Sequence, residues 1–131
     1  MLNLTEHQPG NHHFIRRIDD DGVMINDQRF SSSVLVGARL LRDDWPVQAL
    51  SDLDEHTIEP LLALQPELVV IGVGSRPQFP DARIQQLFFR HAIGLECMTL
   101  VAAARTFNIL MSENRRALAG LILPGPTIPS D

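Results

Sequence analysis

The strongest pattern in the chain is a short apolar run, Leu68–Gly74, that is rich in β-branched residues and has no polar alternation. Such a run is typical of a strand that is buried on both faces of a sheet. Pro66 precedes the run, and Ser-Arg-Pro follows it at 75–77. We therefore predict an interior strand over Leu68–Val73, with a glycine-containing loop at its carboxyl end.

The first part of the chain has short apolar segments separated by turn signals. Three strands are predicted there, over His12–Ile18, Val23–Ile25 and Phe30–Val36. The sequences Asp-Asp-Asp-Gly at 19–22 and Asn-Asp at 26–27 favour tight turns between them. Because tight turns connect antiparallel neighbours, this part of the chain predicts an antiparallel meander.

The rest of the chain alternates helical and strand patterns. Asp81 and Thr99 are suitable N-caps for helices over Ala82–His91 and Leu100–Glu113, and the second helix has a continuous apolar stripe. Asn114 suits the left-handed conformation that often ends a helix. The remaining predicted elements are a helix capped by Thr57 with Pro60 in an early turn, and strands over Leu95–Met98 and Ala117–Leu123.

Together these patterns predict a single compact α/β domain over residues 12–123. Its sheet is mixed, antiparallel at the start and partly parallel at the centre, and it packs against helices. A flexible N-terminal arm over residues 1–11 and an irregular C-terminal tail over residues 124–131 are predicted to flank the domain. A chain of 131 residues is long enough to bury a substantial core.

Composition narrows the classes of function. The net charge of −5 argues against a general binder of nucleic acid or anionic membranes. All 11 basic residues are arginine, which indicates codon bias in a GC-rich, bacterial genome. The single cysteine excludes a disulfide within the chain and favours a reducing compartment. No run approaches the ~20 apolar residues of a membrane span, and the N-terminus does not resemble a signal peptide. We expect a soluble, cytoplasmic protein without stable membrane insertion.

The motifs that are typical of binding or catalytic sites are weak in this chain. Gly72 and Gly74 resemble the start of a dinucleotide-binding loop, but Pro77 occupies the place of the third glycine, so a tight strand exit is favoured. The five histidines lack the spacing of a zinc site, and we predict no metal and no cofactor. Cys97 lies in an apolar strand and is predicted to be a small buried hydrophobe, although a distant histidine would make it a candidate nucleophile. We expect His91 to stabilise a helix C-terminus.

Polar residues also gather around the long helix. Glu113 and Arg116 flank its end and are predicted to pair across the turn, either as a structural ion pair or as part of a polar patch beside the Gly74 loop.

Three segments together resemble one small family. They are Val-Val-Ile-Gly-Val-Gly at 69–74, Gly-Leu-Glu at 94–96 and Ala-Arg-Thr-Phe-Asn-Ile-Leu-Met-Ser-Glu-Asn-Arg-Arg at 104–116. The chain resembles the domain-of-unknown-function family that includes the mitochondrial respiratory complex I assembly factor 3 and the adipogenesis-associated domain proteins. The resemblance implies a compact α/β fold and does not imply an enzyme. Thr99 replaces an acidic residue of the family pattern, and the matching positions are Gly72, Gly74, Arg105, Thr106, Asn108, Glu113 and Arg116.

Two hypotheses of function follow. The first is a non-enzymatic protein that binds a protein partner and helps to assemble a larger complex, such as a respiratory complex. The second is a binder of small anions, or an enzyme, that uses the loop from Gly74 to Arg76. For either one we predict a surface cleft at the carboxyl end of the central strand, because ligands of α/β sheets bind there. Its predicted lining is Gly74, Ser75, Arg76, Arg105 and Asn108.

Overall fold

The computed structural model describes residues 12–19 and 21–125. The predicted N-terminal arm, Asp20 and most of the predicted tail lie outside these ranges. Within them the chain forms eight strands and three α-helices, in this order: β1 (Ile15–Asp19), β2 (Gly22–Ile25), β3 (Gln28–Phe30), β4 (Val34–Gly37), β5 (Leu41–Arg42), α1 (Glu55–Ala63), β6 (Leu68–Val73), α2 (Ala82–Arg90), β7 (Gly94–Met98), α3 (Leu100–Ser112) and β8 (Ala117–Ile122).

The strands form two sheets. Strands β1, β2 and β3 make an antiparallel meander, and the second sheet has the order β5-β4-β8-β6-β7. In the second sheet β6 pairs in parallel with both β7 and β8, while β4 is antiparallel to β5 and β8. The prediction of a mixed α/β fold with a partly parallel centre is confirmed.

The predicted third strand, Phe30–Val36, is wrong as a single element. It is divided into β3, which ends at Phe30 in the meander, and β4, which begins at Val34 in the larger sheet. The three serines between them carry the chain from one sheet to the other. Ser33 is buried, and its hydroxyl accepts a hydrogen bond of 2.8 Å from the backbone N–H of Leu123, which fixes the start of β4 beside the end of β8.

The larger sheet separates two apolar cores. Strand β6 contributes to both, because Val70 faces one core while Val69 and Ile71 face the other, and all three side chains are fully buried. The prediction that Leu68–Val73 is an interior strand is therefore confirmed. The first core is covered by α3 and the meander, and the second by α1, α2 and the segment around Trp45.

The sequence predicted the ends of two helices well. Thr99 caps α3, because its hydroxyl accepts a hydrogen bond from the backbone N–H of Ala102. Asp81 caps α2, because its carboxylate accepts a hydrogen bond from the backbone N–H of Arg83. Asn114 follows α3 with a φ of 58°, the left-handed conformation predicted for it. The stripe of α3 is buried against the sheet through Ala103, Ala104, Phe107, Leu110 and Met111.

Helix α1 begins earlier than predicted. Its N-cap is Asp54, and Thr57 lies at the third helical position. The Thr57 hydroxyl accepts a hydrogen bond of 2.9 Å from the backbone N–H of Asp54. The Asp54 carboxylate accepts one of 2.8 Å from the backbone N–H of Thr57. This reciprocal capping box satisfies two backbone donors at once. Pro60 consequently lies in the helix interior and not in its first turn.

Candidate functional site

The loop after β6 lies where the sequence predicted it, at the carboxyl end of the strand. Gly74 has a φ of 62°, a left-handed conformation that glycine adopts without steric cost. Its carbonyl accepts a hydrogen bond of 3.0 Å from the N–H of Leu100, so the loop is attached to the start of α3. Gly74, Ser75 and Arg76 are all exposed.

The side chain of Asn108 forms its hydrogen bonds far from this loop. Its side-chain amide donates a hydrogen bond of 2.8 Å to the carbonyl of Ile15, and its side-chain oxygen accepts one of 2.9 Å from the Ile15 N–H. The side chain thus attaches α3 to β1 of the meander. At 1.5 Å per residue, Asn108 lies about 12 Å along α3 from Leu100.

Arg105 lies on the outer face of α3. It is four residues from both Val101 and Ile109, which are 47% and 57% exposed, so these three side chains form an exposed ridge away from the sheet. The buried stripe lies on the opposite side of the helix. The sequence predicts that Arg105 and Asn108 both reach the Gly74 loop. The structure separates them, because one side chain faces solvent and the other faces β1.

The polar cluster after α3 also differs from its prediction. Arg115 forms an ion pair with Glu67 at 2.9 Å and a longer contact with Glu113 at 3.7 Å, while Arg116 donates to the carbonyl of Gln65. The predicted pair of Glu113 with Arg116 is therefore wrong. Because β6 and β8 are parallel, the residues before the two strands meet at their amino ends. The six residues of β6 separate this cluster from the Gly74 loop. A strand rises ~3.3 Å per residue, so this separation is about 20 Å.

The most exposed large apolar side chains of the described residues lie elsewhere, beside β7. Phe79 and Phe89 are 81% and 80% exposed. They line a groove of about 580 Å³ between α2 and β7, whose floor includes Ile93, Leu95 and Cys97. Gln85, Gln86 and Glu96 also belong to its lining, so the groove is a surface of mixed polarity with two exposed phenylalanines at the edge of the sheet.

Strand β7 is an edge strand of the larger sheet. The N–H of Gly94 donates to the carbonyl of Glu67, at 3.0 Å, and so points towards β6. Because backbone groups alternate in direction along a strand, those of Leu95 and Cys97 point to the open side. The groove therefore adjoins a row of outward-facing backbone donors and acceptors.

Cys97 contributes to the groove as an apolar group. Its side chain packs against the second core, and burial, with a smaller contribution from the Glu96 carboxylate, raises the pKa of its thiol to about 11. The thiol is protonated at neutral pH, and a protonated thiol is a poor nucleophile. Cys97 packs as an apolar group, as predicted, but it is half-buried and not fully buried.

The side chains of His13 and His91 contact backbone carbonyls. A ring nitrogen of His91 lies 2.8 Å from the carbonyl of Leu87 in its own helix, and one of His13 lies 2.8 Å from that of Gly37. Within residues 12–19 and 21–125, no three His, Cys, Asp or Glu side chains gather as metal ligands would.

The groove was not predicted from the sequence, although α2 contains a signal for it. Consecutive helical residues lie 100° apart, so Phe88 and Phe89 cannot both face the core. Phe88 is buried, and Phe89 is directed outward. The position of β7 at the sheet edge had no comparable signal, because strand order is set by the whole fold.

None of the helices in the described part of the chain is long and apolar enough to cross a membrane.

Comparison with known proteins identifies the family. The chain is 27% identical over 120 residues to NADH dehydrogenase (ubiquinone) 1 alpha subcomplex assembly factor 3 of Xenopus tropicalis, covering 90% of this chain and 64% of that protein. The human protein of the same name is 29% identical over 128 residues, which cover 94% of this chain and 67% of that protein. The chain therefore spans about two thirds of the length of these curated relatives.

A solved structure supports the same relationship. The NMR structure of a protein from Xanthomonas campestris has a TM-score of 0.81 and 32% identity, with 98% of each chain covered. The family model described as "Protein of unknown function (DUF498/DUF598)" matches residues 15–122. The match covers most of the chain, which therefore belongs to the DUF498/DUF598 family.

Proposed function

We propose that this protein is a non-enzymatic factor that binds a protein partner and helps to assemble a larger complex, such as a respiratory complex. The observation that carries the proposal is its similarity, over about nine tenths of its length, to proteins named as complex I assembly factors. An assembly factor has to recognise another protein. The groove beside β7 exposes two large apolar side chains, Phe79 and Phe89, and exposed apolar side chains of this kind occur at protein–protein contacts.

The chemistry of the described side chains fits a binding role. The Cys97 thiol is held in its protonated form, and the His91 ring is committed to the end of its own helix. Asn108 and Thr106, two residues that match the family pattern, form contacts within the fold: Asn108 with Ile15 and Thr106 with the sulfur of Met98. The family residues on α3 therefore include groups that maintain the structure.

The test combines deletion of the gene in the native cell with affinity capture of the tagged chain. We expect the deletion strain to contain less of one assembled respiratory complex on native gels, and the tagged chain to capture a subunit or precursor of that complex. Restoring the wild-type gene should restore the complex. Unchanged levels of every respiratory complex, with no partner captured, would refute the proposal.

A second candidate function is the binding of a small anion at the β6 loop. It is favoured by the exposure of Ser75 and Arg76 beside Gly74, since a guanidinium and a hydroxyl can both donate to a carboxylate or phosphate. Titration of the labelled protein with inorganic phosphate or acetate tests it. Saturable shifts of the Ser75 and Arg76 amides that disappear in Arg76→Ala would support it, and the absence of such shifts in the wild type would reject it.

A further inference from the structure

We propose that the open edge of β7, together with the groove lined by Phe79 and Phe89, binds an extended segment of a partner protein as an added strand. The segment has apolar residues at alternate positions and a lysine or arginine between them, opposite Glu96. This inference rests on the proposed partner-binding function and states where, and to what kind of segment, the protein binds.

The backbone of β7 presents hydrogen-bonding groups on its outer side. Leu95 and Cys97 direct their N–H and C=O groups away from β6, because the N–H of Gly94 points towards it. Edge strands with outward-facing groups are templates for another strand. Recognition by strand addition takes much of its affinity from such main-chain hydrogen bonds.

The side chains on the α2 face of β7 provide contacts for an added strand. Such a strand would lie about 4.8 Å beyond β7. Every second side chain of that strand would then project into the groove, whose lining includes Leu95, Cys97, Phe79 and Phe89. In β-strand addition, pockets for alternate side chains provide the specificity. Burying the two phenylalanines, now about four-fifths exposed, would contribute to affinity.

Charge favours a basic segment at this edge. Glu96 is the one charged residue of β7 and is exposed, and none of the ion pairs among the described residues includes it. It belongs to the lining of the groove, and its side chain alternates in direction with those of Leu95 and Cys97 along the strand. A basic residue directly across from a carboxylate stabilises a strand pair, whereas a like charge destabilises it. The net charge of −5 also favours the approach of a basic segment.

The same charge argues against a second copy of this chain as the occupant. Two β7 strands related by a two-fold axis through Glu96 would place two carboxylates directly opposite each other. In this register the repulsion between the two Glu96 carboxylates opposes self-pairing of the edge. A partner segment with a basic residue has no such penalty.

The test uses two synthetic peptides that alternate valine with a polar residue. In one the central polar residue is lysine, and in the other it is glutamate. We expect the lysine peptide to shift the amide signals of Leu95 and Cys97 in the isotope-labelled protein and to slow their hydrogen exchange. We also expect it to bind at least about tenfold more tightly than the glutamate peptide.

Two variants and a matched control test the surface itself. Phe89→Ser should weaken binding of the lysine peptide about tenfold, whereas Ile109→Ser, the same type of change on the outer face of α3, should leave it unchanged. Glu96→Lys should reverse the preference between the two peptides. Shifts that map away from β7, no binding of the lysine peptide, an unchanged preference in Glu96→Lys, or dimerisation through β7 without peptide would each overturn the inference.

The inference and the proposed function fail in different ways. If Phe89→Ser captures the same partner from the native cell as the wild type does, the partner binds elsewhere, and only the β7 site is wrong. If the wild type captures no partner and the respiratory complexes are unaffected by deletion, the proposed function itself is wrong.

Discussion

At the scale of single residues, Gly72 sets the distance between β6 and α3. A Cβ atom at this position would lie 2.5 Å from the Cβ of Ala103 and 3.3 Å from the Cα of Leu100. Real side-chain atoms do not approach so closely, and Leu100 presents its backbone there. The absence of a side chain at Gly72 therefore allows the helix to pack directly on the central strand. This packing role is distinct from the dinucleotide-loop role that the glycine pattern superficially resembles.

Gly72→Ala should destabilise the protein. The added methyl group forces α3 away from β6, and overpacking of this kind costs about 1–3 kcal/mol. Urea unfolding followed by circular dichroism measures the change in the free energy of unfolding. Ser75→Ala, an exposed change two residues beyond the strand, is the control and should have little effect. Equal midpoints for Gly72→Ala and the wild type would contradict the close approach of helix and strand.

Asn108→Ala should lower stability by about 1–3 kcal/mol, because it removes two hydrogen bonds and leaves the backbone groups of buried Ile15 without them. Arg105→Ala is the matched control on the same helix and should change stability by less than about 0.5 kcal/mol. Thermal unfolding distinguishes the two variants. If Asn108→Ala melts like the wild type, Asn108 does not attach α3 to β1, and that result would favour the binding role predicted for it.

The pKa of Asp19 provides a prediction about pH. Hydrogen bonds from the Arg29 side chain and then from the Asp21 backbone lower this pKa from 3.8 to about 2. A carboxyl whose pKa is lower in the folded state stabilises the fold above its unfolded pKa. That contribution should be lost as the pH falls from about 4 to 2. In Arg29→Met the Asp19 pKa should rise towards 3.8, as carboxyl NMR titration can measure. An unchanged pKa would show that the Arg29 pair does not cause the shift.

At the scale of elements, α3 and β6 form the centre of the fold. The helix packs on the face of β6 that carries Val70, which is fully buried within the first core. Because the strand is covered on both faces, it has no side open to water where a polar side chain could be placed.

Val70→Asp should destabilise the protein by several kcal/mol, because it places an unpaired charge in an apolar core. Val101→Asp is the same chemical change at an exposed site in the first turn of α3, where a negative charge suits the helix dipole. We expect Val101→Asp to melt close to the wild type and Val70→Asp to be unfolded or to melt far lower. Similar melting of both variants would contradict the interior position of β6.

The elements differ in how well the sequence predicted them. The stripe of α3 and the apolar run of β6 are strong local patterns, and both were predicted almost to the residue. The break between β3 and β4 has no comparable pattern, since the contact of Ser33 with Leu123, 90 residues away, fixes where β4 starts. The groove beside β7 was missed for a similar reason: Phe89 is exposed at a sheet edge only because the complete strand order places β7 there.

At the scale of the whole molecule, the larger sheet is held together by its last strand. β8 pairs with β4 on one side and with β6 on the other, so it connects the antiparallel part of the sheet with the parallel part. Its six residues are all buried, and they contribute to both apolar cores. Trp45 packs against Gly120 of this strand, and its indole N–H donates a hydrogen bond to the carbonyl of Thr57 in α1. The tryptophan therefore connects β8 with α1.

A chain that ends at residue 116, and therefore lacks β8, should not fold. It retains α1, α2, α3 and most strands, but its two half-sheets have lost the strand that joins them. We expect little tertiary signal in near-ultraviolet circular dichroism and no cooperative thermal transition. The matched control is a chain that ends at residue 125, which retains β8 and should unfold cooperatively. Cooperative unfolding of the shorter chain would contradict the central role of β8.

The position of β8 also has a consequence for protein synthesis. The ribosome synthesises β6 many residues before β8. The apolar run of β6 therefore lacks one of its two neighbouring strands, β8, until the end of the domain has been made. Pairings between distant parts of a chain form slowly, and unpaired apolar strands are prone to aggregation. The nascent protein therefore passes through a period in which its most apolar strand is unprotected. Slower translation of the segment between the two strands would lengthen that period and increase the dependence of the chain on chaperones.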